Sequence, residues 1–111
     1  MYFKPVKLKA GEKPLVLSEF GGYSFKPKGH VFNTEKTYGY GSFKTRDAYM
    51  DAVETLYLKQ IVPAREKGLC AAIYTQVSDV EDETNGLLSY DRRVCKPDEA
   101  RMLAIAEKLK L

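Results

Sequence analysis

The sequence predicts an α/β fold in which two short apolar strands flank one long amphipathic helix. Residues 15–20 and 69–75 are apolar runs without polar alternation, which is typical of parallel strands covered on both faces. Over residues 45–67, apolar positions recur every three or four residues, which is the helical period. A second helix closes the chain. We therefore predict β-α-β-α order: a right-handed βαβ unit with two parallel strands and two helices.

Length and composition limit the classes of protein. The chain has 111 residues, 44% of them hydrophobic, and a net charge of +3, which suits one ordinary globular domain. No apolar run approaches the roughly 18 residues that span a bilayer, and the amino-terminal residues have no signal-peptide pattern, so we expect no membrane partner. Six lysines among the first thirty residues are a weak indication of nucleic-acid binding, and we expect no nucleic-acid partner. The composition fits a cytoplasmic or a periplasmic parent protein, and the location stays open.

The cysteines and the histidine do not predict a metal site or a disulfide framework. Cys70 and Cys95 form no C-x-x-C pair, and neither lies near His30 in sequence. We expect both to be buried thiols, with no metal and no cofactor bound to the chain.

Turn signals divide the remaining chain. Residues 1–13 are lysine-rich and interrupted by proline and glycine, which predicts a loop or arm ahead of a domain at 14–111. Residues 21–44 are rich in glycine and aromatic residues, and a loop of this length is usually a binding segment. Residues 87–94 are expected to form a short extended segment.

The helix boundaries follow from capping residues. Thr45 or Ser42 is expected to cap the first helix and Gly68 to end it, while Pro63 should bend or break its last turns. Pro97 and Asp98 open the second helix. Its predicted buried face consists of Met102, Ile105, Ala106 and Leu109.

Two parallel strands that are apolar on both faces do not make a self-sufficient sheet. Either the amino-terminal segment adds a third strand and copies associate, or the chain belongs to a larger sheet whose other strands lie elsewhere. We favour the larger sheet.

The run Pro-Leu-Val-Leu-Ser-Glu-Phe-Gly-Gly at residues 14–22, and the segment 68–96 about fifty residues later, carry a resemblance. Together with the helix between them, they resemble the last two βα units of the catalytic (β/α)8 barrel of glycoside hydrolase family 2, the β-galactosidase and β-glucuronidase group. The resemblance covers nearly all of the chain after Pro14. It implies that the two strands are the seventh and eighth of a barrel that is incomplete on its own.

The resemblance implies that Glu19 is the catalytic nucleophile of a retaining hydrolase that cleaves O-glycosidic bonds. A retaining enzyme also needs an acid/base carboxyl about 5–5.5 Å away. In this family that residue is a glutamate preceded by asparagine, and the sequence has no Asn-Glu pair. We therefore expect a carboxyl-terminal fragment of the catalytic domain that carries the nucleophile, is inactive alone and self-associates through its strand edges and apolar faces.

Six further residues are predicted to bind the carbohydrate substrate. By the resemblance, the end of the second strand lies at the sugar pocket, where this chain has Tyr74 and Gln76 instead of the tryptophan of better-known members. The sugar therefore stays open. The complete set of expected substrate contacts is Tyr74, Gln76, Asp79, Glu81, Tyr38 and His30.

Each of these residues has an alternative interpretation. At the residue level, Glu19 is a solvated strand-end glutamate and His30 a surface residue. The loop aromatics form either a small core or sugar-stacking platforms. The acidic run at 79–83 is similar to a calcium loop, but its glycine and glutamate spacing does not fit an EF-hand, so a solvated loop is expected. The alternative function is a non-catalytic carbohydrate-binding or assembly module that uses the aromatic loop.

Overall fold

The computed structural model describes residue 9 and residues 11–110, so most of the predicted arm at 1–13, and any third strand there, lies outside the described residues. The elements follow one another as β1 (Leu15–Gly21), β2 (Tyr23–Phe25), β3 (Gly41–Phe43), α1 (Arg46–Leu56), a π-helical turn (Tyr57–Ile61), α2 (Val62–Glu66), β4 (Leu69–Thr75) and α3 (Glu99–Leu109).

The parallel pairing of β1 with β4 confirms the α/β class and the predicted strand order. Leu15 pairs with Leu69 at one end of the two-stranded sheet, and Gly21 pairs with Thr75 at the other. The chain between the strands contains the long helix, as a parallel connection requires. The described part of the chain is thus a small α/β unit with one parallel pair of strands and helices.

The first helix begins where the sequence predicts and continues through Pro63. Thr45 is the N-cap, and the Ala48 amide donates a hydrogen bond to its hydroxyl over 3.2 Å. Proline lacks an amide donor and clashes with the carbonyl of the preceding turn. The π-helical turn directly before Pro63 widens the helix there, so the helix is locally expanded rather than broken. Gly68 ends it with a φ of 104°, which favours glycine.

The hydrophobic core lies between the helices and one face of the β1/β4 sheet. Leu15, Leu17, Ala72 and Tyr74 pack from the sheet against this core. Its buried residues are Phe20, Tyr23, Tyr49, Met50, Val53, Leu56, Ile61, Ala64, Leu69 and Ile105.

Helix α3 joins the core through a narrow stripe. The Arg101 amide donates to the Asp98 carboxylate over 2.9 Å, which confirms a helix start at Asp98. Ile105 is buried, while Met102 and Leu109 are partly buried. Ala106, predicted on the buried face, is exposed because α3 contacts α1 and α2 along one edge only.

The opposite face of the sheet is not covered by the described residues. Val16 is 53% exposed and Ile73 is 56% exposed, so the prediction of strands covered on both faces is wrong for this part of the chain. The reason is that all three helices pack on the same side. The prediction of buried thiols is also wrong, since Cys70 and Cys95 are both exposed.

A bulge in β1 explains why its sequence does not alternate. Leu17 pairs with Ala72 and Phe20 pairs with Tyr74, so Ser18 and Glu19 together stand opposite Ile73 alone. In a regular strand, Glu19 would share the covered face with Leu17. The extra residue shifts the alternation, so that Glu19 is exposed while Phe20 is buried.

The segment predicted as one loop contains a second, smaller pair of strands. β2 and β3 are three residues each and pair in parallel, with Tyr23 opposite Gly41 and Phe25 opposite Phe43. The predicted extended segment at 87–94 forms only isolated bridges, such as that between Leu88 and Cys95. Among the described helices, none is long and apolar enough to cross a membrane.

Candidate functional site

Two loops meet at the edge of the sheet where β1 and β4 both end. We call residues 22–44 the aromatic loop and residues 76–96 the acidic loop. The Gly22 amide donates to the Thr75 carbonyl over 2.9 Å, where both loops begin. Further along, the Tyr38 amide donates to the Asp82 carbonyl over 2.7 Å, and the Thr84 amide donates to the Tyr38 carbonyl over 3.2 Å. The backbones of the two loops are therefore joined.

Glu19 lies at this edge with its side chain exposed. The nearby phenol of Tyr38 is also exposed, and its ring meets that of Tyr40 edge to face, with centroids 6.1 Å apart. The Tyr40 hydroxyl has the largest effect in raising the pKa of Tyr38, and the charges of Glu83 and Glu19 raise it further. Two carboxylates, one from β1 and one from the acidic loop, thus act on one tyrosine.

Gln76 holds one of those carboxylates. Its side-chain amide donates to Glu83 Oε2 and to Asn85 Oδ1, both over 2.7 Å. Its backbone carbonyl accepts a hydrogen bond from the Leu87 amide over 2.9 Å. Sequence reasoning singled out Gln76 but not Glu83, because nothing local distinguishes Glu83 from the acidic residues around it.

Asp79 lies inside the acidic loop and is buried there. Lys96 Nζ is 2.6 Å from Asp79 Oδ1, and the same oxygen accepts from the Gly86 amide over 2.8 Å. The Lys96 ammonium also donates to the Thr84 carbonyl over 2.9 Å. Burial raises the pKa of the Asp79 carboxyl and lowers the pKa of the Lys96 ammonium, while their mutual attraction opposes both shifts.

This ion pair gives Asp79 a role in bracing the loop, and its expected contact with substrate stays a prediction. Lys96 was missed from the sequence because a lysine between a cysteine and a proline carries no signal for burial. Gly86 is required by the same arrangement, since a Cβ there would lie 2.2 Å from the Asp79 backbone nitrogen.

Tyr74 and Glu81 occupy different surroundings from Glu19. The Tyr74 ring packs into the core, edge to face with Phe20 and stacked on Tyr57. Burial is the main cause of the raised pKa of Tyr74. Glu81 is exposed at a turn of the acidic loop, with a φ of 51°. Their expected contacts with substrate stay predictions.

His30 reaches the acidic loop at another point. Its Nδ1 is 2.8 Å from Asp91 Oδ2, so the pair links the two loops a second time. The structure therefore places Tyr38 within the electrostatic reach of Glu19, and Gln76 is joined to Tyr38 through Glu83. The contacts described for Tyr74, Asp79 and His30 are with other residues.

The group around Glu19 suits a polyhydroxylated ligand. It combines exposed aromatic rings with an amide and carboxylates that can accept hydroxyl hydrogen bonds, which is the usual composition of such sites. Among residues 9 and 11–110, no three His, Cys, Asp or Glu side chains are grouped to hold a metal ion. No protein-family model matches the sequence, and no curated protein matches it significantly.

Proposed function

We propose that this chain is part of a retaining glycoside hydrolase similar to family 2, with Glu19 as the nucleophile. The observation that carries the proposal is the exposed Glu19 carboxylate near the shared carboxyl edge of two parallel strands, where its charge acts on Tyr38 of the aromatic loop. Ligands of α/β folds bind at this edge, where loops from neighbouring strands converge. The β1 bulge supports the proposal because bulges often direct a side chain next to an active site.

The proposed reaction is a double displacement. The Glu19 carboxylate attacks the anomeric carbon as the bond to the leaving oxygen breaks, and that oxygen takes a proton from a second carboxyl. Water then attacks the glycosyl ester, gives up a proton to the same second carboxyl and releases Glu19. We propose that the second carboxyl is supplied by other strands of a complete barrel.

The nucleophile can be tested separately from the acid. A 2,4-dinitrophenyl 2-deoxy-2-fluoro-β-glycoside has a leaving group that departs without protonation, so it can label a nucleophile that lacks its acid partner. We expect slow covalent labelling of the peptide containing Glu19, detected by mass spectrometry. The label should be lost in Glu19→Gln and retained in the control Glu35→Gln, whose carboxyl is exposed in the aromatic loop. No adduct, or an adduct on another peptide, would contradict the proposal.

The same proposal implies that the isolated chain does not turn over ordinary substrates. Sustained release of nitrophenol from aryl β-glycosides, abolished by Glu19→Gln, would show that the chain is a self-sufficient enzyme instead.

We further propose that the uncovered face of the β1/β4 sheet drives self-association. Val16 and Ile73 are exposed on that face, and neither edge of the sheet has a third strand among the described residues. Sedimentation should show concentration-dependent association that Ile73→Lys reduces. Leu103→Lys, an equally exposed site on α3, is the control and should change nothing. A monodisperse monomer at all concentrations would contradict the association.

A non-catalytic carbohydrate-binding role is the second candidate, favoured by the exposed rings of Tyr38 and Tyr40. Isothermal titration with simple sugars separates the two roles. Millimolar binding that survives Glu19→Ala but is lost in Tyr38→Ala or Tyr40→Ala would favour the binding module.

A further inference from the structure

A second cluster of side chains joins the aromatic and acidic loops away from the contacts described for Glu19. We call His30, Phe32, Tyr90 and Asp91 the histidine cluster. His30 and Phe32 come from the aromatic loop, whereas Tyr90 and Asp91 come from the acidic loop. The cluster therefore exists only when the two loops are docked on each other.

Asp91 is held firmly in place within the cluster. The hydroxyl of the fully buried Ser89 donates to Asp91 Oδ1, and the Arg93 amide donates to the same oxygen over 3.1 Å. The Ser89 hydroxyl and then His30 hold the pKa of the Asp91 carboxyl well below its usual range. Asp91 is therefore an ionised acceptor with a fixed orientation.

This carboxylate determines what His30 offers to a ligand. Because an ionised carboxylate only accepts hydrogen bonds, the His30 Nδ1 that faces it carries the ring proton. In the neutral imidazole, Nε2 is then a hydrogen-bond acceptor. The side chain is 34% exposed, and among the described residues Nε2 has no hydrogen-bond partner.

Phe32 and Tyr90 add two aromatic rings to the cluster. Phe32 is two residues from His30 in sequence, and Tyr90 directly precedes Asp91. Phe32 is 62% exposed and Tyr90 is 40% exposed, although their rings touch edge to face with centroids 6.2 Å apart. Aromatic faces carry partial negative charge and attract the weakly positive hydrogens of a C–H surface. Two large exposed rings next to an oriented polar atom match the make-up of a ligand site.

We infer that the histidine cluster binds a pyranose ring, with Phe32 and Tyr90 against its C–H face and a hydroxyl donating to His30 Nε2. A pyranose presents an apolar face bordered by hydroxyls, which is the combination this cluster complements. Asp91 is a positioning residue that fixes the imidazole. The inference takes its ligand class from the proposed function and adds a second sugar contact to it.

The test is a nuclear magnetic resonance titration of the full chain with cellobiose. His30 is the only histidine, so its ring nitrogen signals are unambiguous. We expect the Nε2 signal and the ring signals of Phe32 and Tyr90 to shift. Phe32→Ala or Tyr90→Ala should weaken the binding about two- to tenfold, the range for one aromatic contact. Glycerol, which has hydroxyls but no ring, should leave these signals in place.

Two variants separate positioning from contact. Asp91→Asn should change the ring nitrogen signals of His30 away from those of the Nδ1-protonated tautomer, and it should also weaken cellobiose binding. A merely structural role of Asp91 would not predict that the tautomer and the affinity change together. Tyr38→Ala removes an exposed ring of the Glu19 group and should leave the shifts of the histidine cluster unchanged.

The outcomes distinguish this inference from the proposed function. Shifts at Tyr38 and Tyr40 but not at His30, Phe32 or Tyr90 would overturn the inference and leave the proposed function standing. The reverse pattern would support the inference and count against sugar binding at Glu19. No shift at His30, Phe32 or Tyr90 would overturn the inference, while the covalent labelling of Glu19 decides the proposed function separately. Equal shifts with glycerol would overturn ring stacking.

Discussion

The two halves of this molecule are held together by different forces. The helix half, made of β1, β4 and the three helices, is organised around buried apolar side chains such as Phe20 and Val53. The loop half, residues 22–44 and 76–96, adds Tyr23 to that core but is otherwise organised by directional contacts, including the buried Lys96–Asp79 pair and the backbone bonds of Tyr38. Apolar burial is non-directional and tolerates small changes, whereas a polar network depends on each of its members.

The largest expected effect is in the helix half. Phe20→Ala removes a side chain that is 2% exposed and should lower the free energy of unfolding by about 3–5 kcal/mol. Phe32→Ala makes the same chemical change on an exposed ring of the loop half and should cost under about 0.5 kcal/mol. Urea unfolding measures both, and equal losses would remove the distinction between the halves.

The buried ion pair should show the coupling expected of the loop half. Lys96→Met or Asp79→Asn alone leaves an uncompensated buried charge and should cost about 3 kcal/mol. The double variant Asp79→Asn/Lys96→Met contains no buried charge and keeps an acceptor for the Gly86 amide, so it should lose less than either single variant. A double-mutant cycle by urea unfolding measures this, and additive losses would contradict the coupling.

Gly86 tests how tightly the loop half is packed. Its alanine Cβ would lie 2.2 Å from the Asp79 backbone nitrogen, so Gly86→Ala should cost about 1–3 kcal/mol as the loop shifts. Gly11→Ala is the control, since a Cβ at Gly11 meets nothing within 4 Å. Thermal unfolding of the two variants compares them, and an unchanged melting temperature for Gly86→Ala would show that the loop adapts.

The smallest expected effect is on how the free energy of unfolding changes at acidic pH. Hydrogen bonds from Ser89 and His30 lower the folded-state pKa of Asp91 below its unfolded value of about 3.9. Its contribution to stability is therefore present above that pH and is lost as the pH falls through the lowered pKa. When the free energy of unfolding is measured with urea at a series of acidic pH values, Asp91→Asn should reduce its slope against pH, while Glu35→Gln should not. Identical slopes for wild type and Asp91→Asn would contradict this assignment.

The same contrast separates what the sequence predicts from what it does not. Continuous apolar runs predicted β1 and β4, and periodicity with capping residues predicted α1 and α3. The Lys96–Asp79 pair, the link from Gln76 to Glu83 and the pairing of β2 with β3 depend on contacts between distant residues. Such contacts leave no local pattern.

The same reasoning applies to the candidate site. Glu19, Tyr38 and Gln76 were predicted, but Glu83 was not, because its position follows from how two loops pair. Which face of β4 is open was not predicted either, since an apolar run has the same appearance whether one face or both are covered, and Ile73 lies on the open face.

The uneven pairing gives β1 one residue more than β4 has at that point. Deleting Ser18 would restore one-to-one pairing, with Glu19 opposite Ile73 on the uncovered face and Phe20 still opposite Tyr74 on the side of the helices. β1 should accordingly accept either the replacement or the loss of Ser18 without turning Glu19 away from water.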